Sequence, residues 1–224
     1  MDSGLGLFPL NTVLLPGAAL RLHIFEDRYK QMIGACIREQ IPFGVVLDRS
    51  GSEVGEELDP VKVGTTAVIR EVTKLPEGRL YIVAYGVRRF KIKQVLSTNP
   101  FWQAEVAYLA EPLGPADSAS RLRETAQDQF RDYLQALLAV SGGELEDITL
   151  PPDAAVSSYL IADALQVGLA VKQQLLETHT AAERLRAELK LLDQEIRRLR
   201  GLRSASATER RAKSTPFNVK FSLN

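Results

Sequence analysis

LGLFPLNTVLLPGAALRLHIFEDRYKQMI, residues 5–33, is the stretch whose reading decides the fold. Leu5–Leu10 is an apolar run of strand length, and Pro16-Gly17 is a turn signal in which glycine can supply a positive φ. Ala19–Phe25 reads as a second strand. From Glu26 to Glu39 the apolar residues Tyr29, Met32, Ile33, Cys36 and Ile37 recur at steps of three and four, one face of a short helix. Its acidic opening suits the positive end of the helix dipole. Strand, turn, strand and helix in quick succession predict a mixed α+β beginning.

The β character continues outward from there. Pro42 forces a restart, and Phe43–Leu47 reads as a buried strand. Residues 48–59, DRSGSEVGEELD, have the composition of an exposed hairpin loop. Strands follow at Gly64–Val72, Leu80–Gly86, Val87–Val95 and Trp102–Tyr108, with a turn at Leu75–Gly78. Gly86 is expected at a bend or bulge, because glycine tolerates backbone angles that bulkier residues do not. Alternation then points Phe90 and Ile92 inward, and Lys91 and Lys93 outward.

After the Pro- and Gly-rich residues 111–115 helical periodicity takes over. Ala116–Val140 carries Leu122, Ala126, Phe130, Leu134, Leu137 and Leu138 on one stripe, and Gly142-Gly143 ends it. Two further helices are expected at Asp153–Val167 and Ala170–Glu177, broken at Gly168. Thr180 and Glu183 have the spacing of a capping box, opening a last helix that runs to about Leu202, roughly 34 Å. Ser204–Thr215 has a linker-like composition. It leads to PFNVKFSLN, whose alternating Phe217, Val219, Phe221 and Leu223 fit a short edge strand or a free end. The chain thus divides into a β-rich unit with one helix (1–112), a helical unit (113–203) and a basic tail (204–224), read as flexible.

A chain of 224 residues, 45% hydrophobic and 25% charged, has the balance of a globular protein with a sizeable core. The single cysteine, Cys36, can make neither an internal disulfide nor a multi-cysteine zinc site, and is read as a small buried residue on the first helix. The apolar start lacks a basic n-region and is broken by Pro9, Asn11 and Pro16-Gly17, unlike a secretory signal. No apolar run approaches the ~18 residues of a membrane span. A cytoplasmic location is the expectation. Net charge is zero but unevenly spread: residues 1–196 carry 20 basic and 27 acidic side chains, residues 197–224 carry 8 basic and one acidic. Such a split suits a tail that folds on the body, pairs with a second copy, or reaches an acidic partner.

Recognisable catalytic chemistry is absent. No glycine is followed by lysine, which excludes a P-loop. There is no H-E-x-x-H and no G-x-S-x-G. His23 and His179 are isolated, and His23 is read as a core or sheet-rim histidine satisfied by a backbone group. The carboxylate clusters Glu53/Glu56/Glu57/Asp59 and Glu144/Glu146/Asp147 fall in polar loops. A catalytic residue, a metal site and a cofactor are therefore not assigned. Arg88, Arg89, Lys91 and Lys93 interleave with Phe90, Phe101 and Trp102, a pattern that can track a nucleic-acid backbone. Strand alternation explains the same lysines as a solvated face, and RNA binding is the weaker reading.

LFPLNTVLLPGAALRLHIFEDRYKQMI (7–33), FGVVL (43–47), VGTTAVIREV (63–72), YIVAYGVRRFKI (81–92), YLIADAL (159–165) and KQQLLETHTAAERLRAELKLLDQEI (172–196) together resemble the amino-terminal substrate-binding domain of Lon proteases. The resemblance implies a PUA-like β-barrel followed by an α-helical bundle ending in a long helix. It further implies a non-catalytic module that binds unfolded or tagged polypeptides, as an adaptor for a AAA+ protease or a chaperone-like factor in protein quality control. It transfers no catalytic residue, and an accessory peptidase is the weakest alternative.

Binding unfolded chains requires exposed apolar or aromatic surface. The candidates are Phe101 and Trp102 after a proline turn, and Phe25 and Tyr29 at the strand-to-helix corner, where anchoring the helix is the competing role. Ala182, Leu185, Leu189, Leu192, Ile196 and Leu199 form a short heptad seam on the last helix. The seam serves the core if it packs on the bundle. If it projects, it serves as a scaffold or homo-oligomer contact.

Overall fold

The computed structural model describes residues 4–49, 59–115, 118–141 and 148–213. Six strands are built from the first half: β1 (Leu5–Leu10), β2 (Ala19–Ile24), β3 (Phe43–Leu47), β4 (Val63–Lys74), β5 (Leu80–Ser97) and β6 (Trp102–Tyr108). One helix, α1 (Asp27–Glu39), is inserted after β2. Four more follow: α2 (Ser118–Ser141), α3 (Ala154–Ala164), α4 (Leu169–Glu177) and α5 (Ala181–Lys213).

The strands run in the order β2-β5-β4-β3-β1-β6, and β6 pairs back onto β5, so five strands close a ring. β1 and β3 are parallel and the other pairings antiparallel. Closure depends on the length of β5. Its first half holds β2 and β4, and its second half holds β4 and β6. Gly17 makes the expected turn at φ +85°.

The sequence reading splits β5 in two at Gly86, whereas the strand is continuous through Ser97. The ladder with β4 does slip opposite Gly86, between Thr65 and Ala67. The cause is space rather than backbone angle: a Cβ at Gly86 would sit 2.3 Å from the Leu15 carbonyl oxygen. Gly86 and Gly17–Ala18 exchange backbone hydrogen bonds at 2.9 and 3.0 Å, docking the β1–β2 connection onto β5.

Three apolar clusters organise the interior. Leu7, Val46, Phe90 and Ala104 fill the ring. Phe8, Ile24, Tyr29, Met32, Ile33, Cys36 and Phe43 pack α1 on the sheet. The largest cluster joins Leu15 and Leu47 to Phe130, Tyr133, Tyr159, Leu175 and Leu185 of the helical layer. The capping box forms, with Thr180 N donating to Glu183 Oε2 and Glu183 N to Thr180 Oγ1, both at 3.2 Å.

One expectation is corrected. The last helix does not stop near Leu202 but continues through Lys213, about 50 Å in all. Residues 204–213, SASATERRAK, contain neither glycine nor proline, and their alanine, arginine, glutamate and lysine favour helix. Of the two placements expected for His23, core or sheet rim, it takes the rim: it is exposed on the edge strand β2 beside Phe25, with ring centroids 5.6 Å apart. The predicted stop at Gly142-Gly143, the loop carboxylates Glu53, Glu56, Glu57, Glu144, Glu146 and Asp147, and Pro216–Asn224 lie outside the described residues. No described helix is long and apolar enough to cross a membrane.

Candidate functional site: an apolar groove beside a buried polar junction

Between α1 and the outer side of β1 and β6 runs an open groove of about 830 Å³. α1 contributes Met32, Ala35 and Cys36, and the chain leaving α1 adds Ile41. Opposite them stand Leu96, Phe101, Val106 and Tyr108. The floor is Gly4–Gly6, where a Cβ on Gly6 would come within 3.0 Å of Met32 Sδ and 3.5 Å of the Phe101 ring. A side chain at Gly6 would occupy the cleft itself. Leu96, Tyr108 and Ile41 remain 50%, 48% and 45% exposed, an unusual concentration of large apolar side chains in one concavity.

The charged residues of the lining are both acidic. Glu105 pairs with Lys93 at 3.0 Å, and Glu39 stands at the negative end of the α1 dipole. Burial, helped by Glu39, pushes the Cys36 thiol up to about 11, so it is a neutral apolar wall at physiological pH. Among the described residues no group of three or more His, Cys, Asp or Glu could hold a metal.

The candidate aromatics part company. Phe101 lines the groove. Trp102, the first residue of β6, is half-buried and packs on the cluster inside the ring. Tyr29 is buried and stacks on Phe8 at 3.9 Å, so it anchors α1. Phe25 is 58% exposed at the corner beside His23 and does not line the groove. On α5, Leu185, Leu192, Ile196 and Leu199 are buried and Leu189 is half-buried, all within the helical core. The heptad seam is thus covered from within the chain.

A second constellation joins the barrel to the helices. Arg89 of β5 is 1% exposed, and each of its five N–H donors has an acceptor. Nε donates to Glu111 Oε1 (2.6 Å) and Nη2 to Glu111 Oε2 (3.0 Å) and the Ala110 carbonyl (3.1 Å). Nη1 donates to the Leu176 and Thr178 carbonyls at 2.7 and 2.6 Å, the unpaired C-terminal end of α4. The Tyr159 hydroxyl donates to Glu111 Oε2 at 2.7 Å. Burial, opposed in part by Arg184, raises the pKa of Tyr159 and keeps that phenol protonated.

Arg184 lies over the Tyr159 ring at 3.8 Å and donates to Ser158 Oγ at 2.8 Å. One turn further along α5, Glu188 is fully buried with no hydrogen bond to either carboxylate oxygen. Its pKa is raised well above the ordinary glutamate value by burial, against the pull of Arg184. These residues escaped the sequence reading. The one available signal was Arg184 and Glu188 as opposite charges four apart, flanking the seam at Leu185. The arginine–lysine–aromatic pattern of β5 does not form a single surface, since Arg89 and Phe90 are both buried.

The described residues thus form a five-strand ring with a helical layer clamped to it and an open apolar groove beside α1. Residues 4–194 match the model of the ATP-dependent protease La (LON) substrate-binding domain, and the chain belongs to that family. It is 32% identical over 211 residues to a Lon protease of Paraburkholderia phytofirmans, covering 87% of this chain and 26% of that protein. It is 26% identical over 193 residues to the Lon protease of Buchnera aphidicola, covering 85% of this chain and 25% of that protein.

The chain therefore spans about a quarter of the length of these relatives. A Lon N-terminal domain protein from Xanthomonas campestris superposes with a TM-score of 0.61 at 26% identity, covering 84% of this chain and 98% of that one. The N-terminal domain of a Mycobacterium avium complex Lon protease shares the fold, with a TM-score of 0.59 at 20% identity.

Proposed function

We propose that this chain is a non-catalytic polypeptide-binding module. It holds apolar, extended segments of unfolded chains in the groove between α1 and β6, and hands them to a AAA+ protease. The observation that carries this reading is the clustering of exposed Leu96, Ile41 and Tyr108 around a concave floor kept open at Gly6. A folded chain gains nothing from leaving such surface in water, and a ligand with apolar side chains would recover about 25 cal/mol for each Å² it covers. Membership of a family described as a substrate-binding domain supports the same reading.

The test is binding of fluorescein-labelled unstructured apolar peptides, followed by anisotropy. Leu96→Asp with Ile41→Asp, both at exposed positions, should weaken binding at least tenfold while leaving the circular dichroism spectrum intact. Unchanged affinity would remove the groove from the mechanism. The alternative of a scaffold acting through the heptad seam receives no support, because the seam is already packed in the helical core.

A further inference from the structure

We infer that the groove also accepts a segment of this protein itself: Pro216–Asn224, PFNVKFSLN, supplied by a second copy. The inference rests on the groove's being a polypeptide-binding site. In an extended segment, side chains two apart share a face, so Phe217, Val219, Phe221 and Leu223 form one apolar edge, with Asn218, Lys220 and Ser222 on the other. From Phe217 to Leu223 is seven residues, the same number as in β6, along which the groove runs. The charges agree as well. The groove's charged lining is Glu39 and Glu105, and among the described residues Glu39 at the end of α1 has no side-chain partner, while residues 210–224 carry Arg210, Arg211, Lys213 and Lys220 and no acid.

Reach argues for a second copy as the source. α5 starts at the barrel, where Ala181 N bonds the Pro112 carbonyl, four residues from Tyr108 at one end of the groove. Its 33 residues carry Lys213 about 48 Å from that point. The chain from Lys213 to Phe217 returns at most ~14 Å. With Tyr108 within ~20 Å of the start of α5, these lengths keep Phe217 at least ~14 Å from Tyr108 of its own chain, a restriction that a second copy does not carry. No described residue of the helical half lines the groove. The contact joins unlike surfaces, tail to groove, so it closes only if two copies exchange tails and otherwise builds longer chains. In either arrangement the tail competes with client segments, making occupancy depend on protein concentration.

The experiment uses the full chain throughout. Sedimentation velocity over a concentration series should show self-association, weakened at least tenfold by Phe217→Asp with Phe221→Asp, and equally by Leu96→Asp with Ile41→Asp. Mixing the tail variant with the groove variant should restore a heterodimer, since each keeps the half the other lacks. A labelled PFNVKFSLN peptide should bind the tail variant more tightly than the wild-type chain, whose groove is already contested.

Self-association unaffected by the tail substitutions would overturn the inference. So would lysine cross-links between tail and α1 that persist within single chains at high dilution. If apolar client peptides still bind and Leu96→Asp still abolishes that binding, the groove reading survives and only the tail falls. If no apolar peptide binds while the two variants still fail to self-associate and still complement, the tail contact stands and the client reading falls.

Discussion

At the barrel–helix junction each donor of the buried Arg89 is matched to an acceptor, whereas along the groove large apolar side chains are left uncovered by any of the described residues. Both regions are costly to build. The junction offsets the desolvation of a guanidinium with five hydrogen bonds and an ion pair, and so fixes how the helices sit on the ring. The groove forgoes burial that a side chain at Gly6 would have supplied. The contrast separates what holds the molecule together from what remains available to a partner.

The largest expected effect falls on the junction. Arg89→Ala leaves Glu111 and the carbonyls of Leu176 and Thr178 without their donor, and should cost about 3 kcal/mol or more in urea unfolding; Glu111, about a third exposed, keeps some solvation and holds the figure at the low end of the range for a broken buried pair. Arg89→Lys should recover only part of this, because an ammonium cannot reproduce the five-donor fork. A loss under 1 kcal/mol would mean that the junction is not what fastens the two halves.

Glu188 comes next, with a definite sign. Its folded pKa is raised, so its contribution is full below the ordinary glutamate range and is lost as pH rises from there through the folded-state value. Glu188→Gln should flatten that decline and raise the melting temperature at neutral pH by a few degrees, an effect of about 1–2 kcal/mol. Thermal melts from pH 4 to 8 decide it; parallel wild-type and variant curves would show that Glu188 does not titrate against folding.

Thr180→Ala removes one half of the capping box at the start of α5 and should cost about 1 kcal/mol, read from the same unfolding curves. Leu96→Asp should be the mildest for stability, within about 0.5 kcal/mol, because the side chain is half exposed. Yet it is a change expected to weaken peptide binding. If Leu96→Asp unfolds the protein, or Arg89→Ala weakens binding without loss of stability, the division of labour between the two regions is wrong.

How much of this was legible follows from the reach of each signal. Tyr29, Met32, Ile33 and Cys36 recur at helical spacing, and all are buried beneath α1. The alternation around Phe90 placed it inside the ring, and Thr180–Glu183 announced its own hydrogen bonds. Arg89 entered the sequence reading only as part of a basic and aromatic pattern, and its burial was not foreseen: strand alternation can tell which face a residue takes, but the carbonyls that cover Arg89 at the end of α4 lie 87 and 89 residues further along the chain. Phe101 and Trp102 illustrate the same limit. They are adjacent in sequence, yet Phe101 lines the groove beside α1 while Trp102 packs on the ring cluster, a split that depends on where α1 lies.

The sequence by itself determined the elements and the family, because turn chemistry, capping and hydrophobic period act over a few residues and are written locally. Tertiary structure alone decided the closure of the ring through the two-sided pairing of β5, the burial of Arg89, Arg184 and Glu188, and the opening of the groove. Each of these depends on which surfaces are covered by segments distant along the chain, and coverage is a property of packing that no local pattern encodes.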